Sequence, residues 1–127
     1  MDTWFREIPV DGVDPGVPGL YEWRIAGVGC YIGQYKWASR PRREYALNVG
    51  RILAGKPYRK HKPTGFRTIH LRLAEAAKAS AESRPLVTLR LIENVPDKAD
   101  RNHREREMIA VRRCQAAKGG LPVLNGN

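Results

Sequence analysis

The chain has 127 residues, of which 42% are hydrophobic, and this combination excludes two separate cores as well as a disordered basic tail. Lys and Arg number 23 against 13 Asp and Glu, a net charge of +10. The whole excess lies in residues 36–72, which contain eleven basic residues and one acidic residue. Such clustering predicts a surface that faces a polyanion. It favours a nucleic acid as partner over the alternatives, a solvated basic face or an anionic protein partner.

The two cysteines, Cys30 and Cys114, are far apart and form no C-x-x-C pair, so we expect neither a disulfide framework nor a zinc ribbon. The first residues lack a secretion signal, and no segment approaches the roughly 20 apolar residues that cross a bilayer. We therefore predict a cytoplasmic protein without a membrane partner.

Residues 1–18 are rich in Pro, Gly and Asp, which predicts an irregular lead-in before a domain over residues 19–127. Residues 20–25 and 30–35 are short apolar and aromatic runs separated by a glycine-containing segment. This pattern is typical of a β-hairpin.

The rest of the sequence has the apolar periodicity of helices, except for one short apolar run that predicts a strand. A helix is predicted after Ser39, then a basic loop over residues 56–63, a second helix capped by Thr64 and continuing to about residue 80, and a central strand over residues 86–92. A third helix is predicted over residues 97–118, capped by Asp97 or Asp100, followed by a short extended tail. The order ββααβα predicts an α/β sandwich with a three-stranded antiparallel sheet flanked by helices.

Two tripeptides of the predicted hairpin carry a resemblance. Gly19-Leu20-Tyr21 and Tyr31-Ile32-Gly33 place their tyrosines ten residues apart, and they precede an arginine-rich helix, a glutamate on a later helix and a Pro-x-Leu-Asn ending at Asn125. In these features the chain resembles the GIY-YIG endonucleases over residues 19–125. The resemblance implies the small sandwich fold of that family and metal-dependent hydrolysis of phosphodiester bonds in DNA.

The resemblance also implies roles for particular residues. Tyr21 and Tyr31 would position or deprotonate the attacking water. A tyrosine with an ordinary pKa near 10 would need a metal ion or an arginine nearby to act as a base at neutral pH. Glu105 would be the single protein ligand of Mg²⁺ or Mn²⁺, with Glu107 as the alternative ligand, and Asn125 would support the site through hydrogen bonds.

The arginine that binds the scissile phosphate in this family corresponds to Pro41 here, with Tyr45 one helical turn later. Arg40 and Arg43 flank that position, and either could supply the guanidinium; Arg40 is the preferred candidate. Arg42 shares a face with Tyr45 and is expected to pack or to contact backbone phosphates. The predicted nucleic-acid contacts are Lys36, Arg42, Tyr45, Arg59, Lys60, Lys62 and Arg67.

DNA is the expected substrate, with RNA as an alternative. Because the chain is short, we expect sequence recognition to come from the basic segment, from a homodimer or from a separate DNA-recognition partner. Two other functions stay open: a non-catalytic basic DNA- or RNA-binding module on the same fold, and a module that binds an acidic protein. The histidines His61, His70 and His103 lack metal-ligand spacing.

Overall fold

The computed structural model describes residues 4–80 and 85–126. The strands are β1 (Phe5–Glu7), β2 (Gly19–Ile25), β3 (Gly29–Tyr35) and β4 (Val87–Asn94). The helices are α1 (Tyr45–Leu53), α2 (Thr68–Ala79) and α3 (Lys98–Ala117), and a wide π-helical turn at Arg40–Glu44 leads into α1. No helix among the described residues is long and apolar enough to cross a membrane.

The sheet has four strands in the order β1-β4-β2-β3. Strand β2 is antiparallel to β3 and β4, whereas β1 is parallel to β4. The α/β class is confirmed, but the predicted three-stranded antiparallel sheet and the order ββααβα are wrong, because β1 lies in the lead-in that was predicted to be irregular. Its three residues are too few to show an alternating pattern, and the strand forms by pairing with residues more than 80 positions away, such as Phe5 with Val87.

The β2–β3 hairpin is confirmed, with Tyr21 paired to Gly33 and Trp23 paired to Tyr31. Because side chains alternate along a strand, Tyr21 and Trp23 project to one face of the sheet and Glu22 to the other. The first face is covered by α1 and α2 and contains the main core, including Leu89. Helix α3 packs against the second face.

The helices agree with the predicted pattern except at the start of α2. This helix begins at Thr68, and its N-cap is Arg67, so the predicted cap Thr64 lies in the preceding loop. Helix α3 begins as predicted after Asp97, whose carboxylate accepts a hydrogen bond from the backbone N–H of Asp100 at 3.0 Å.

The C-terminal tail lies along the outer edge of β3. The backbone N–H of Cys30 donates to the Pro122 carbonyl at 2.9 Å, and the Leu124 N–H donates to the Cys30 carbonyl at 2.7 Å. This pairing brings Asn125 next to the second tripeptide. Its amide both accepts from the Ile32 N–H at 2.9 Å and donates to the Ile32 carbonyl at 2.7 Å.

Candidate active site

Tyrosine hydroxyls and arginines meet between the hairpin and helices α1 and α2. We call this group the tyrosine–arginine cluster; it consists of Tyr21, Tyr31, Tyr45, Arg40 and Arg67. The hydroxyls of Tyr21 and Tyr45 are 2.5 Å apart, and the Arg67 guanidinium donates a hydrogen bond to the Tyr31 hydroxyl. Arg40 is close enough to Tyr21 to favour its ionised form electrostatically.

The two glycines of the tripeptides are required by close packing. A Cβ atom at Gly33 would overlap the phenol ring of Tyr21, and a Cβ atom at Gly19 would overlap the backbone carbonyl of Glu93. Gly33 thus makes room for the cross-strand tyrosine, while Gly19 lets β2 approach β4. The spacing of the tripeptides therefore has a steric basis in this fold.

Both tyrosines of the tripeptides are neutral at physiological pH. Burial raises the pKa of Tyr31 to about 12, although the neighbouring Arg67 opposes the increase. Burial, together with the hydroxyl of Tyr45, raises the pKa of Tyr21 well above its ordinary value of 10. Neutral hydroxyls can orient a water molecule through hydrogen bonds, but they are poor bases.

His70 is part of this environment, and the sequence reasoning missed it. Its Nδ1 accepts a hydrogen bond from the backbone N–H of Arg67 at 3.1 Å, so the other ring nitrogen of the neutral imidazole carries the proton. Burial and the charges of Arg67 and Arg40 lower the pKa of His70 to about 4. The histidine is therefore uncharged at neutral pH and helps to fix the N-cap residue Arg67. In the sequence, only the position of His70 three residues after the N-cap residue could have indicated this role.

Three neighbouring depressions lie beside the cluster. A groove of about 540 Å³ is lined by Tyr31, Arg67 and Asn125, and a small cavity of about 80 Å³ is lined by Arg40, Tyr45, Arg67 and His70. A third groove, of about 620 Å³, extends from Arg40 towards the start of α3. Arg67 lines the first two depressions and Arg40 lines the last two, so all three adjoin one or both of these arginines.

The structure distinguishes the three candidate arginines. Arg40 belongs to the cluster, whereas Arg43 lines a separate groove with Arg51 and Lys56 on the outside of α1. The geometry thus separates Arg43 from the tyrosines that it was predicted to assist. Arg42 forms a two-point ion pair with Glu7 at 2.9 and 2.8 Å, so its charge is already compensated. Pro41 is fully buried, which is why its position offers no side chain to the site.

The two candidate glutamates differ in their surroundings. Glu105 is half-buried and accepts a hydrogen bond from the Gln34 side-chain amide at 3.1 Å. Among the described residues it has no ion-pair partner within 4.0 Å, whereas Glu107 contacts His103 at 3.6 Å and Arg104 at 3.7 Å. Glu105 is therefore the better ligand for an added cation.

Glu105 does not contact the tyrosine–arginine cluster. Gln34, its partner, projects from β3 to the α3 face, while Tyr31 projects to the opposite face three residues earlier. The carboxylate and the tyrosine hydroxyl thus lie on opposite sides of the strand that forms the edge of the sheet.

The predicted nucleic-acid contacts divide into exposed and buried groups. Exposed cations are Lys36, Arg59, Lys60, Lys62 and Arg67. Arg59 is held over the Tyr58 ring, with its guanidinium carbon 4.7 Å from the ring centroid. Tyr45 is only 2% exposed, so the structure corrects its predicted role: the side chain packs in the core and borders the small cavity without being exposed to a ligand on the surface.

Comparison with known proteins adds no family assignment. No protein-family model matches the chain, and neither curated proteins nor solved structures gave a significant match. Function must therefore be argued from the residues themselves.

Proposed function

We propose that this protein is a metal-dependent endonuclease of the GIY-YIG type that hydrolyses phosphodiester bonds in DNA. The observation that carries the proposal is that Tyr31, Arg40 and Arg67 line neighbouring depressions, with the buried Tyr21 on the same hairpin, whose two glycines are sterically required. Arginines without carboxylate partners among the described residues can bind a phosphate. Neutral hydroxyls beside them can orient an attacking water.

The residues of the chain have distinct tasks in this proposal. Arg40 and Arg67 bind the non-bridging oxygens of the scissile phosphate and stabilise the charge that develops on them. The Tyr31 hydroxyl, oriented by Arg67, holds the attacking water by hydrogen bonding. The buried side chains of Tyr21 and Tyr45 pack against each other and fix the position of the aromatic rings at the site. Asn125 fixes the backbone beside Tyr31.

Glu105 is the residue that would hold Mg²⁺ or Mn²⁺. The described residues contain no group of three or more His, Cys, Asp or Glu side chains that could form a protein cage for a metal. A single half-buried carboxylate fits a hydrated Mg²⁺ that takes its other ligands from water and phosphate. When bound, the ion would neutralise charge on the phosphate and lower the pKa of a coordinated water.

The position of Glu105 gives the proposal a geometric consequence. Because Tyr31 and Glu105 lie on opposite sides of β3, a DNA strand that reached both residues would cross the outer edge of β3. A scissile strand bound in this way runs across the sheet edge and does not lie in the small cavity alone.

The experiment is cleavage of supercoiled plasmid, branched DNA and single-stranded DNA side by side, in Mg²⁺ and in EDTA. We expect Mg²⁺-dependent nicking of at least one substrate. Glu105→Gln should lower the rate by about 100-fold or more, since the ion contributes several kcal/mol to the transition state. Glu107→Gln on the same helix is the matched control and should retain the wild-type rate.

A second candidate function is a basic nucleic-acid-binding module without catalysis. It is favoured by the buried Pro41 at the arginine position and by the separation of Glu105 from the tyrosines. This alternative predicts salt-dependent binding with no metal-dependent product. Equal product in Mg²⁺ and EDTA, or equal rates for Glu105→Gln and wild type, would contradict the nuclease.

A further inference from the structure

The groove of about 620 Å³ beside the cluster combines a positively charged lining with a buried arginine. Its charged residues are all basic: Lys36, Arg40, Lys98 and Arg101. Among the described residues, none of the four has a carboxylate within 4.0 Å, although five other basic side chains of the protein do. The groove therefore concentrates positive charge that the fold does not neutralise.

Arg101 shows that this charge is built into the groove. Its side chain is only 5% exposed, yet within the described part of the chain its guanidinium is bound by neutral oxygens alone, the carbonyls of Val95 and Pro96 at 3.2 and 2.8 Å and the Gln34 amide at 3.3 Å. Lys98 donates to the same Gln34 oxygen at 3.1 Å. A buried cation without a counter-ion is costly, and an anion in the groove would offset that cost.

An exposed indole stands next to this groove. Trp37 is 65% exposed, the most exposed large hydrophobic side chain among the described residues. The ammonium of Lys36, which lines the groove, lies 5.6 Å from the centroid of the Trp37 ring. The ring is thereby held beside the groove by a cation–π contact while its surface stays open to solvent.

We propose that this groove binds a single-stranded segment of nucleic acid, with one unpaired base stacked on Trp37 and neighbouring phosphates contacting Lys36, Lys98 and Arg40. An indole face can stack on a base only where that base is not covered by its neighbours in a duplex, so the combination of an open ring with a basic groove selects single strands. Arg40 lines both this groove and the small cavity of the cluster, so a strand bound in the groove would lie next to the site. In that respect the inference rests on the proposed nuclease and specifies its substrate as DNA with an unpaired stretch.

The test measures binding in EDTA, where no metal-dependent cleavage occurs. Fluorescein-labelled oligo-dT of 15 nucleotides, the matching ribo-oligonucleotide and a blunt duplex of 15 base pairs are titrated in a fluorescence-anisotropy assay. We expect Trp37→Ala to weaken binding of the single-stranded DNA by roughly 5- to 150-fold, the effect of losing one stacked base. Duplex binding should change by less than about twofold, because a duplex offers Trp37 no free base face.

Two variants separate stacking from other effects of the substitution. Trp37→Phe keeps an aromatic face and should retain most of the single-strand affinity. Leu47→Ala removes a side chain of similar exposure, 59%, from a different groove and should bind like wild type. Intrinsic fluorescence gives a direct signal: Trp4 and Trp23 are buried, so quenching by bound oligonucleotide reports on Trp37 and should vanish in Trp37→Phe.

The salt dependence of binding tests the role of the basic residues of the groove. Lys98→Gln should reduce the slope of log K against log salt by about 0.7, the value for one phosphate contact with a single strand. Lys78→Gln, an exposed position on α2, should leave the slope unchanged.

Single-strand affinity that is equal in Trp37→Ala and wild type, or an equal loss for duplex and single strand, would overturn this inference. Preference for the ribo-oligonucleotide would retain the groove as a single-strand site but overturn DNA as its substrate. The proposed nuclease fails separately: if single strands bind through Trp37 but no substrate is cut in Mg²⁺, the groove stands and the catalytic proposal does not.

Discussion

Arginines taken from the two faces of the sheet illustrate two ways in which this fold holds a guanidinium. On the α3 face, the Glu22 carboxylate is 2% exposed and accepts from Arg112 at 2.8 Å and from Arg24 at 3.3 Å. On the opposite face, Arg40 and Arg67 have no carboxylate within 4.0 Å among the described residues; Arg67 donates to a tyrosine hydroxyl instead.

This difference indicates which charges are available to a ligand. A guanidinium paired with a buried carboxylate is neutralised inside the fold and contributes to stability or packing. A guanidinium whose partner is a neutral phenol keeps its charge and can bind an external phosphate. The comparison therefore predicts that removing arginines of the first kind lowers stability, whereas removing those of the second kind lowers binding or catalysis.

The largest effect on activity within this comparison is expected for Arg40→Ala. Loss of a cation that stabilises transition-state charge typically lowers a rate by about 100-fold, and we expect that decrease in Mg²⁺-dependent nicking. Arg43→Ala is the matched control because it lies three residues away in a separate groove. Equal rate losses in the two variants would contradict a specific role for Arg40, because they would show that either positive charge supports the reaction equally well.

Gly33→Ala should disturb the arrangement on the cluster face without changing any charge. The added methyl group overlaps the Tyr21 ring, and overpacking of this kind lowers the free energy of unfolding by about 1–3 kcal/mol. Gly50→Ala on α1 meets no atom within 4 Å and should raise stability by about 0.5–1 kcal/mol. Urea denaturation measures both changes, and an unchanged midpoint for Gly33→Ala would show that the ring position is not fixed by this contact.

Arg42→Ala tests an arginine that is paired with a carboxylate. Its two-point contact with Glu7 joins the wide turn before α1 to β1, and both side chains are partly exposed, so we expect a loss of about 1 kcal/mol in unfolding free energy. The nicking rate at 25 °C should stay at the wild-type level. A rate loss comparable to that of Arg40→Ala would contradict the distinction between paired and free arginines.

At neutral pH the smallest effect is that of His70, because its influence on stability appears only on acidification. Its pKa is about 4 in the folded protein and 6.5 when unfolded, so the unfolded state binds more protons between these values. The unfolding free energy should therefore fall as pH decreases from 6.5 to 4. His70→Gln should flatten this dependence, while His61→Gln in the exposed loop should preserve it, as measured by denaturation at several pH values.

Local signals accounted for the hairpin and for α3, since alternating apolar residues around Gly27 and an Asp N-cap act over a few residues. Strand β1 was missed because it depends on pairing with β4, far along the chain. Arg67 was predicted only as a nucleic-acid contact, and His70 was set aside for lack of ligand spacing. Their approach to Tyr31 and Tyr45 results from how α2 packs on the hairpin, which residue spacing does not encode.

The sequence alone also could not decide between Arg40 and Arg43. The sequence placed both beside Pro41, and the wide turn at Arg40–Glu44 decides which of them points to the tyrosines. Glu105 was likewise proposed from the resemblance, but its location across the edge strand from Tyr31 depends on the sheet.

The central claim is that the tyrosine–arginine cluster performs catalysis, and Tyr31→Phe tests it most directly because it removes a single hydroxyl. The measurement is the single-turnover rate of Mg²⁺-dependent plasmid nicking, with the melting temperature recorded in parallel. We predict a rate at least about tenfold lower at an unchanged melting temperature, since loss of one positioned hydrogen bond raises the barrier by more than about 1.4 kcal/mol. Wild-type nicking by a folded Tyr31→Phe protein would contradict the claim.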